Sequence, residues 1–134
     1  MTDLGAKESR SKLDLARKHL ERVQVASRDP QDPEEAVTWA FYAYENAVIA
    51  AAETIGLSWE KNHYSKRHVA KELNRQGAVS RDLSSKLLEL NDLRKDVAYG
   101  EPGPDLEEVD LEDLATELEG FVDEVAALIE KAAQ

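Results

Sequence analysis

Apolar residues in this chain recur at steps of three and four, and the stronger helix breakers fall in four short places. These are Pro30 with Pro33, Gly56, Gly77, and the stretch GEPGPD from Gly100 to Asp105. The period is helical rather than alternating, and no segment reads as a strand. An all-α domain follows, and an α/β nucleotide-binding fold is excluded. In the first segment Leu13, Ala16, Leu20 and Val23 form one stripe. The second opens on Asp32-Pro33-Glu34-Glu35, where Asp suits the N-cap, Pro suits the first helical position, and Glu35 completes a capping box. Ala36, Ala40, Ala47, Ala51 and Ile55 then line one face, with Phe41, Tyr44 and Val48 beside it, and Gly56 closes the helix. This helix is the least polar and is expected to be the most buried.

A short third segment runs from about Ser65 to Gln76, anchored by Val69 and Leu73 and closed by Gly77. Ser80 is expected to cap a fourth, passing through Leu83, Leu87, Leu90, Arg94 and Val97 to Gly100. Asp110 caps a fifth, whose stripe is Leu111, Leu114, Leu118, Phe121, Val122, Val125, Leu128 and Ile129. Four long helices, one short helix and short connections predict an up-and-down four-helix bundle with an additional short helix. Residues 1–134 then form a single domain with an ordered core over about 8–130; the first six residues and the last three are expected to fray.

Length and composition narrow the function. The chain has 134 residues, enough for one domain. It contains no cysteine, which excludes a disulfide framework, a Cys-ligated metal and a thiol nucleophile. Its longest apolar run, Ala47 to Ala52, is six residues, against about 20 for a membrane span. The opening MTDLGAKESRSK carries no apolar leader. A cytoplasmic protein with no membrane contact is expected. The formal net charge of −11 argues against a general nucleic-acid grip, yet the charge is uneven. Residues 1–28 and 57–100 are each net +3, residues 29–56 are net −6, and residues 101–134 are net −11.

No GxxxxGK[ST], GxGxxG or GxSxG occurs. A helical bundle raises the question of a di-iron centre, which needs two Glu-x-x-His pairs. Glu60-Lys61-Asn62-His63 matches once and no second copy exists. No metal and no cofactor are expected.

The segment Asn91-Asp-Leu-Arg-Lys-Asp-Val-Ala-Tyr99-Gly100-Glu101-Pro102 resembles the motif region of HEPN domains. These are small helical bundles built around Arg-x4–6-His at the end of a late helix. The aromatic- and alanine-rich run from Thr38 to Gly56 resembles their second helix, and His63 followed by a basic short helix resembles their third element. The resemblance extends over about residues 8–130. It implies a homodimer with a composite site, at which Arg and His of both protomers cleave RNA without metal through the ribose 2′-OH. Arg94 and Tyr99 would stand at that site, with Lys95, Asp96, His63 and His68 as further binding positions. Tyr99 occupies the position of the family's His, and Lys95 stands where a polar residue, commonly Asn, follows the Arg. An ordinary His titrates near pH ~6.5 and Tyr near ~10, so Tyr99 is a poor general base. Arg94 and Tyr99, five residues apart, stand about 140° apart around a helix.

Three functions stay open at this level. One is a HEPN-like homodimer that is catalytically impaired and binds RNA or protein. Another is a metal-independent endoribonuclease of toxin or defence type, with His63 or His68 replacing the missing base and a nucleotidyltransferase-like or other antitoxin-type protein as partner. The third is an acidic helical scaffold that binds a basic partner through residues 105–134. Arg94 also has a purely structural reading, in which it bonds the last carbonyls of its helix or pairs with an acid such as Asp96 or one in 101–113. Lys66, Arg67, Lys71 and Arg75 form a phosphate-facing strip in one reading and a solvated face in the other. Trp39 and Phe41 read as core or interface.

Overall fold

The computed structural model describes residues 3–100 and 106–134. Its helices are α1 (Asp3–Ala26), α2 (Pro33–Ile55), α3 (His63–Arg75), α4 (Ser84–Ala98) and α5 (Leu111–Ala133). No strand occurs among the described residues. The protein is an all-α helical bundle. α2 lies at its centre, packed against α1, α5, α4 and α3, with the most extensive contact to α1.

The helix ends follow their local chemistry, with instructive exceptions. Asp32 caps α2, its Oδ1 accepting the Glu35 N–H at 3.2 Å, and Pro33 takes the first helical position. The reciprocal arm of the expected capping box is absent. Glu35 instead accepts the Trp39 indole N–H at 2.5 Å, and the Asp32 N–H reaches back to the Ala26 carbonyl at 2.8 Å. Gly56 has φ +76°, a conformation that L side chains resist. The next N–H, of Leu57, bonds the Ala52 carbonyl at 2.8 Å, which closes the helix in the Schellman manner.

α3 begins two residues earlier than expected, because Asn62 is its cap and accepts the Ser65 N–H at 2.7 Å. Ser80 does not cap α4. Its N–H and hydroxyl both bond Glu124 of α5, and α4 starts at Ser84, whose N–H goes to Asp82 Oδ1 at 2.8 Å. A long-range carboxylate outcompetes the local cap. The segment from 101 to 105, most of the predicted break, lies outside the described residues. Asp110 caps α5 as expected, accepting the Asp113 N–H at 3.1 Å. α1 is helical from Asp3 and α5 continues to Ala133.

The predicted stripes of α1 and α5 are buried save for Leu128, which packs half-buried against the core. α2 is buried on more than one face, including Ala36, Ala40, Ala43, Ala47 and Ala50 to Ala52. Ile55 departs from its predicted face. It is 36% exposed, since the chain turns away immediately afterwards at Gly56. Tyr44, wholly buried, stacks obliquely on Phe121 at 5.8 Å. Its hydroxyl makes no hydrogen bond of ordinary geometry, and burial pushes its pKa from 10.0 up to about 12 against the nearby Arg81, which lowers it.

A buried hydroxyl without a partner costs more than it returns. Tyr44→Phe is therefore expected to leave the unfolding free energy unchanged or to raise it by up to about 1 kcal/mol, read from a urea denaturation midpoint. Between pH 10 and 12 the unfolded chain ionises this phenol before the folded chain does. Its contribution is intact below the lower value and is lost as pH rises through the window. Stability should fall less steeply there in Tyr44→Phe than in the native chain.

Candidate functional site

The sequence places Arg94 on α4 one turn after Asn91, the i,i+3 spacing at which helix side chains meet. Asn91 is buried. Its Oδ1 accepts from Arg94 Nη2 at 2.8 Å and from Nε at 3.3 Å. A third bond runs from Arg94 Nη1 to the Tyr42 hydroxyl of α2 at 3.4 Å. The guanidinium lies 5.1 Å from the Phe41 ring centroid and 5.6 Å from that of Tyr42, within cation–π range. Among the described residues no carboxylate stands within ion-pair distance of Arg94. Amide, phenol and ring faces orient its charge without neutralising it.

Phe41 joins this group to a second one. The His63 ring meets the Phe41 ring edge-on at 5.1 Å. His63 Nδ1 lies 2.7 Å from Glu45 Oε2, and Glu45 Oε1 lies 3.5 Å from Lys66 Nζ. Glu45 is almost wholly buried, whereas the His63 side chain is 42% exposed. An ionised carboxylate only accepts hydrogen bonds, so in neutral His63 the proton sits on Nδ1. The lone pair of Nε2 is then free, the tautomer used by a general base. An imidazole oriented by Glu45 and a guanidinium with no ion-pair partner among the described residues thus meet around one aromatic ring.

The remaining positions singled out in the sequence lie elsewhere. Tyr99 ends α4 and is 78% exposed, outside the Arg94 cage within one chain. Lys95 and Asp96 are exposed, and Asp96 lines an acidic groove between α4 and α5 with Asp92, Asp110 and Asp113. His68 is exposed beside the α3–α4 seam. Among the described residues Arg94 bonds Asn91 and Tyr42 and not Asp96, and part of the range 101–113, which holds the other acids of the structural reading, lies outside the described residues. The α3 strip is not uniform either. Lys66 is taken up by Glu45, and Arg75 holds Glu72, whose carboxyl is lowered to about 2 chiefly by that hydrogen bond. Trp39 is half-buried. It stacks on His19 at 4.9 Å with Arg22 over its ring at 4.2 Å. Burial, and then Arg22, lower the His19 pKa.

Tyr42, Glu45 and Asn91 are the site residues that sequence reasoning missed. Glu45 carried a signal, as the only charge between Trp39 and Ala52; a lone acid in an apolar helix must find a cation when buried. No group of acidic or histidine side chains suited to a metal occurs among the described residues. No family model matches the chain, and no curated protein or solved structure proved similar to it.

Glu45→Ala removes the acceptor of Lys66 and of the 42% exposed His63, both of which can turn to water, and is expected to lower the unfolding free energy by about 1 kcal/mol. Glu45→Gln, which keeps an acceptor for His63, should cost less. Nitrogen-15 spectra of the imidazole are expected to show the Nδ1–H tautomer in the native chain and a mixture in Glu45→Ala.

Proposed function

We propose that this chain is a HEPN-like protein that pairs as a homodimer and holds an RNA phosphate at Arg94 without cleaving it. An up-and-down four-helix arrangement with α3 as the additional short helix belongs to that reading. The observation that carries it is the state of Arg94. Its guanidinium is half-buried, fixed by Asn91 and Tyr42, and faces no carboxylate among the described residues. A cation oriented by neutral groups keeps its charge for an outside anion. The stretch that bears it, residues 57–100, is net +3 within a chain of net −11. This supports a local phosphate contact rather than a broad electrostatic grip.

Tyr99, at the position of the family's His, supports the reading without cleavage. A phenol is a much poorer proton acceptor than the imidazole that the family places there. At 78% exposure it is placed to meet a partner protomer or a base of the RNA.

The Glu45–His63 pair favours one second reading, a metal-independent ribonuclease. There Nε2 of His63 takes the proton of a ribose 2′-OH, and the 2′-oxygen attacks phosphorus. The 5′-oxygen leaves with a proton drawn from water and His63 returns its own to solvent, giving a 2′,3′-cyclic phosphate and a 5′-hydroxyl, while Arg94 stabilises the phosphorane charge.

Purified protein incubated with labelled single-stranded RNA in EDTA separates the two. Binding without cleavage is expected, with a dimer by light scattering. Arg94→Ala should weaken binding about 10-fold and reduce the salt slope by about one. Cleavage lost in both Arg94→Ala and His63→Ala would replace the binding reading with the nuclease. Unaltered affinity in Arg94→Ala would sink the binding reading, and no cleavage by the native chain would sink the nuclease.

A further inference from the structure

A cluster on the outer side of α1 and α2 takes no part in the function read at Arg94. His19 of α1 stacks on Trp39 of α2, with ring centroids 4.9 Å apart and planes at 24°. One turn along α1, Arg22 lays its guanidinium 4.2 Å from the Trp39 centroid. Its Nη1 lies 3.2 Å from His19 Nδ1. A guanidinium only donates, so Nδ1 accepts and the imidazole proton sits on Nε2. The Trp39 indole N–H is anchored in turn on Glu35. Both rings are half-buried, and Arg22 is exposed.

This arrangement suits one protonation state only. A proton on Nδ1 turns the acceptor into a donor and sets an imidazolium against a guanidinium at hydrogen-bond distance. The lost bond and the like charges then act together to drive Arg22 off. Burial first, and then the Arg22 charge, hold the His19 pKa below its ordinary 6.5, so the neutral form prevails at pH 7. Few titratable or charged groups surround the ring. α1 supplies Arg22. α2 supplies Glu35, through Trp39, and Tyr42, whose ring centroid is 6.4 Å from that of His19. Arg94 of α4 reaches only the Tyr42 hydroxyl, and Glu119 of α5 is occupied by Gln24.

The guanidinium has a second set of partners within the same fold. Arg22 also lines a cavity of about 550 Å³ between α1 and the start of α2, whose walls carry Glu21, Asp32 and Glu35. None of these carboxylates is in an ion pair among the described residues. A long, exposed side chain therefore has two destinations, the indole face beside His19 or the carboxylate wall. Only the first requires a neutral imidazole.

We propose that His19, Arg22 and Trp39 form a proton-operated latch on the cleft between α1 and α2. With His19 neutral, Arg22 lies on Trp39 and the cleft is open. With His19 protonated, Arg22 swings onto the carboxylate wall and closes it. The latch does not rest on the function read at Arg94.

The test is a titration of the full chain from about pH 8 to about pH 5, the range in which histidine changes charge. Fluorescence is read in Trp59→Phe, which leaves Trp39 as the only indole, and NMR in both that variant and the native chain. Indole emission should fall in one step with a midpoint below 6.5, because a stacked imidazolium quenches it. The Arg22 Nε–H proton, shielded by the indole ring, should move downfield with the same midpoint. His19→Gln keeps a neutral acceptor, so both steps should vanish and Arg22 should stay shielded. Arg22→Met should raise the emission midpoint. Glu21→Gln with Glu35→Gln, which removes two of the receiving charges, should lower it. An Arg22 signal that does not follow the His19 titration overturns the latch. So does a step that survives in His19→Gln, or a midpoint unmoved in Arg22→Met. A midpoint unmoved in the double glutamine variant overturns closure onto the carboxylate wall.

Discussion

Burial of α2 on several faces is the constraint from which the other features descend. Seven alanines on this helix are fully buried, Ala36, Ala40, Ala43, Ala47, Ala50, Ala51 and Ala52. Short side chains let neighbouring helices approach closely, and a helix apolar on more than one side gains most when surrounded. α1, α5, α4 and α3 all pack against it. The same burial makes Glu45 expensive, because an unpaired carboxylate inside the bundle is not tolerated. His63 and Lys66 answer that charge, so the position of α3 is tied to one acid on α2.

Around Phe41 the protein treats two cations in opposite ways. Lys66 is held by the buried carboxylate and contributes no free charge. Arg94, over the same ring as His63, is held by an amide, a phenol and two aromatic faces. The first arrangement is an ion pair, while the second orients a charge that no carboxylate among the described residues pairs with. Such a division is what an anion site needs, since a guanidinium already paired with a carboxylate has little to offer a phosphate.

Charge is segregated by α4. On one side Glu89, Asp92 and Asp96 face Asp110 and Asp113 across a groove shared with α5. On the other, Ser84, Ser85 and Leu88 face Arg67, His68 and Lys71 of α3. The net charge of −11 is therefore a sum over surfaces of opposite character, and the Debye length of about 8 Å at physiological salt keeps them from cancelling.

Much of the architecture was legible in the residues. Periodic apolar positions fixed the helical class and the stripes of α1 and α5, and Asp32, Gly56, Gly77 and Asp110 marked helix ends by local hydrogen bonding and backbone geometry that need no distant partner. Where a distant partner intervened, local reasoning failed. Ser80 was drawn off by Glu124, and Glu35 by the indole of Trp39. The site shows the same division. Arg94 was legible from its motif, and Asn91 was within reach of an i,i+3 argument. That Tyr42 supplies the third hydrogen bond, that Glu45 orients His63, and that Tyr99 stands outside the cage depend on how α2, α3 and α4 pack. Sequence by itself determined which segments are helical and where the charge lies, because both are properties of neighbours along the chain. Tertiary structure alone decided which cations are neutralised and which remain free, because a salt bridge is set by distance in space between residues 21 positions apart, as in Glu45 and Lys66.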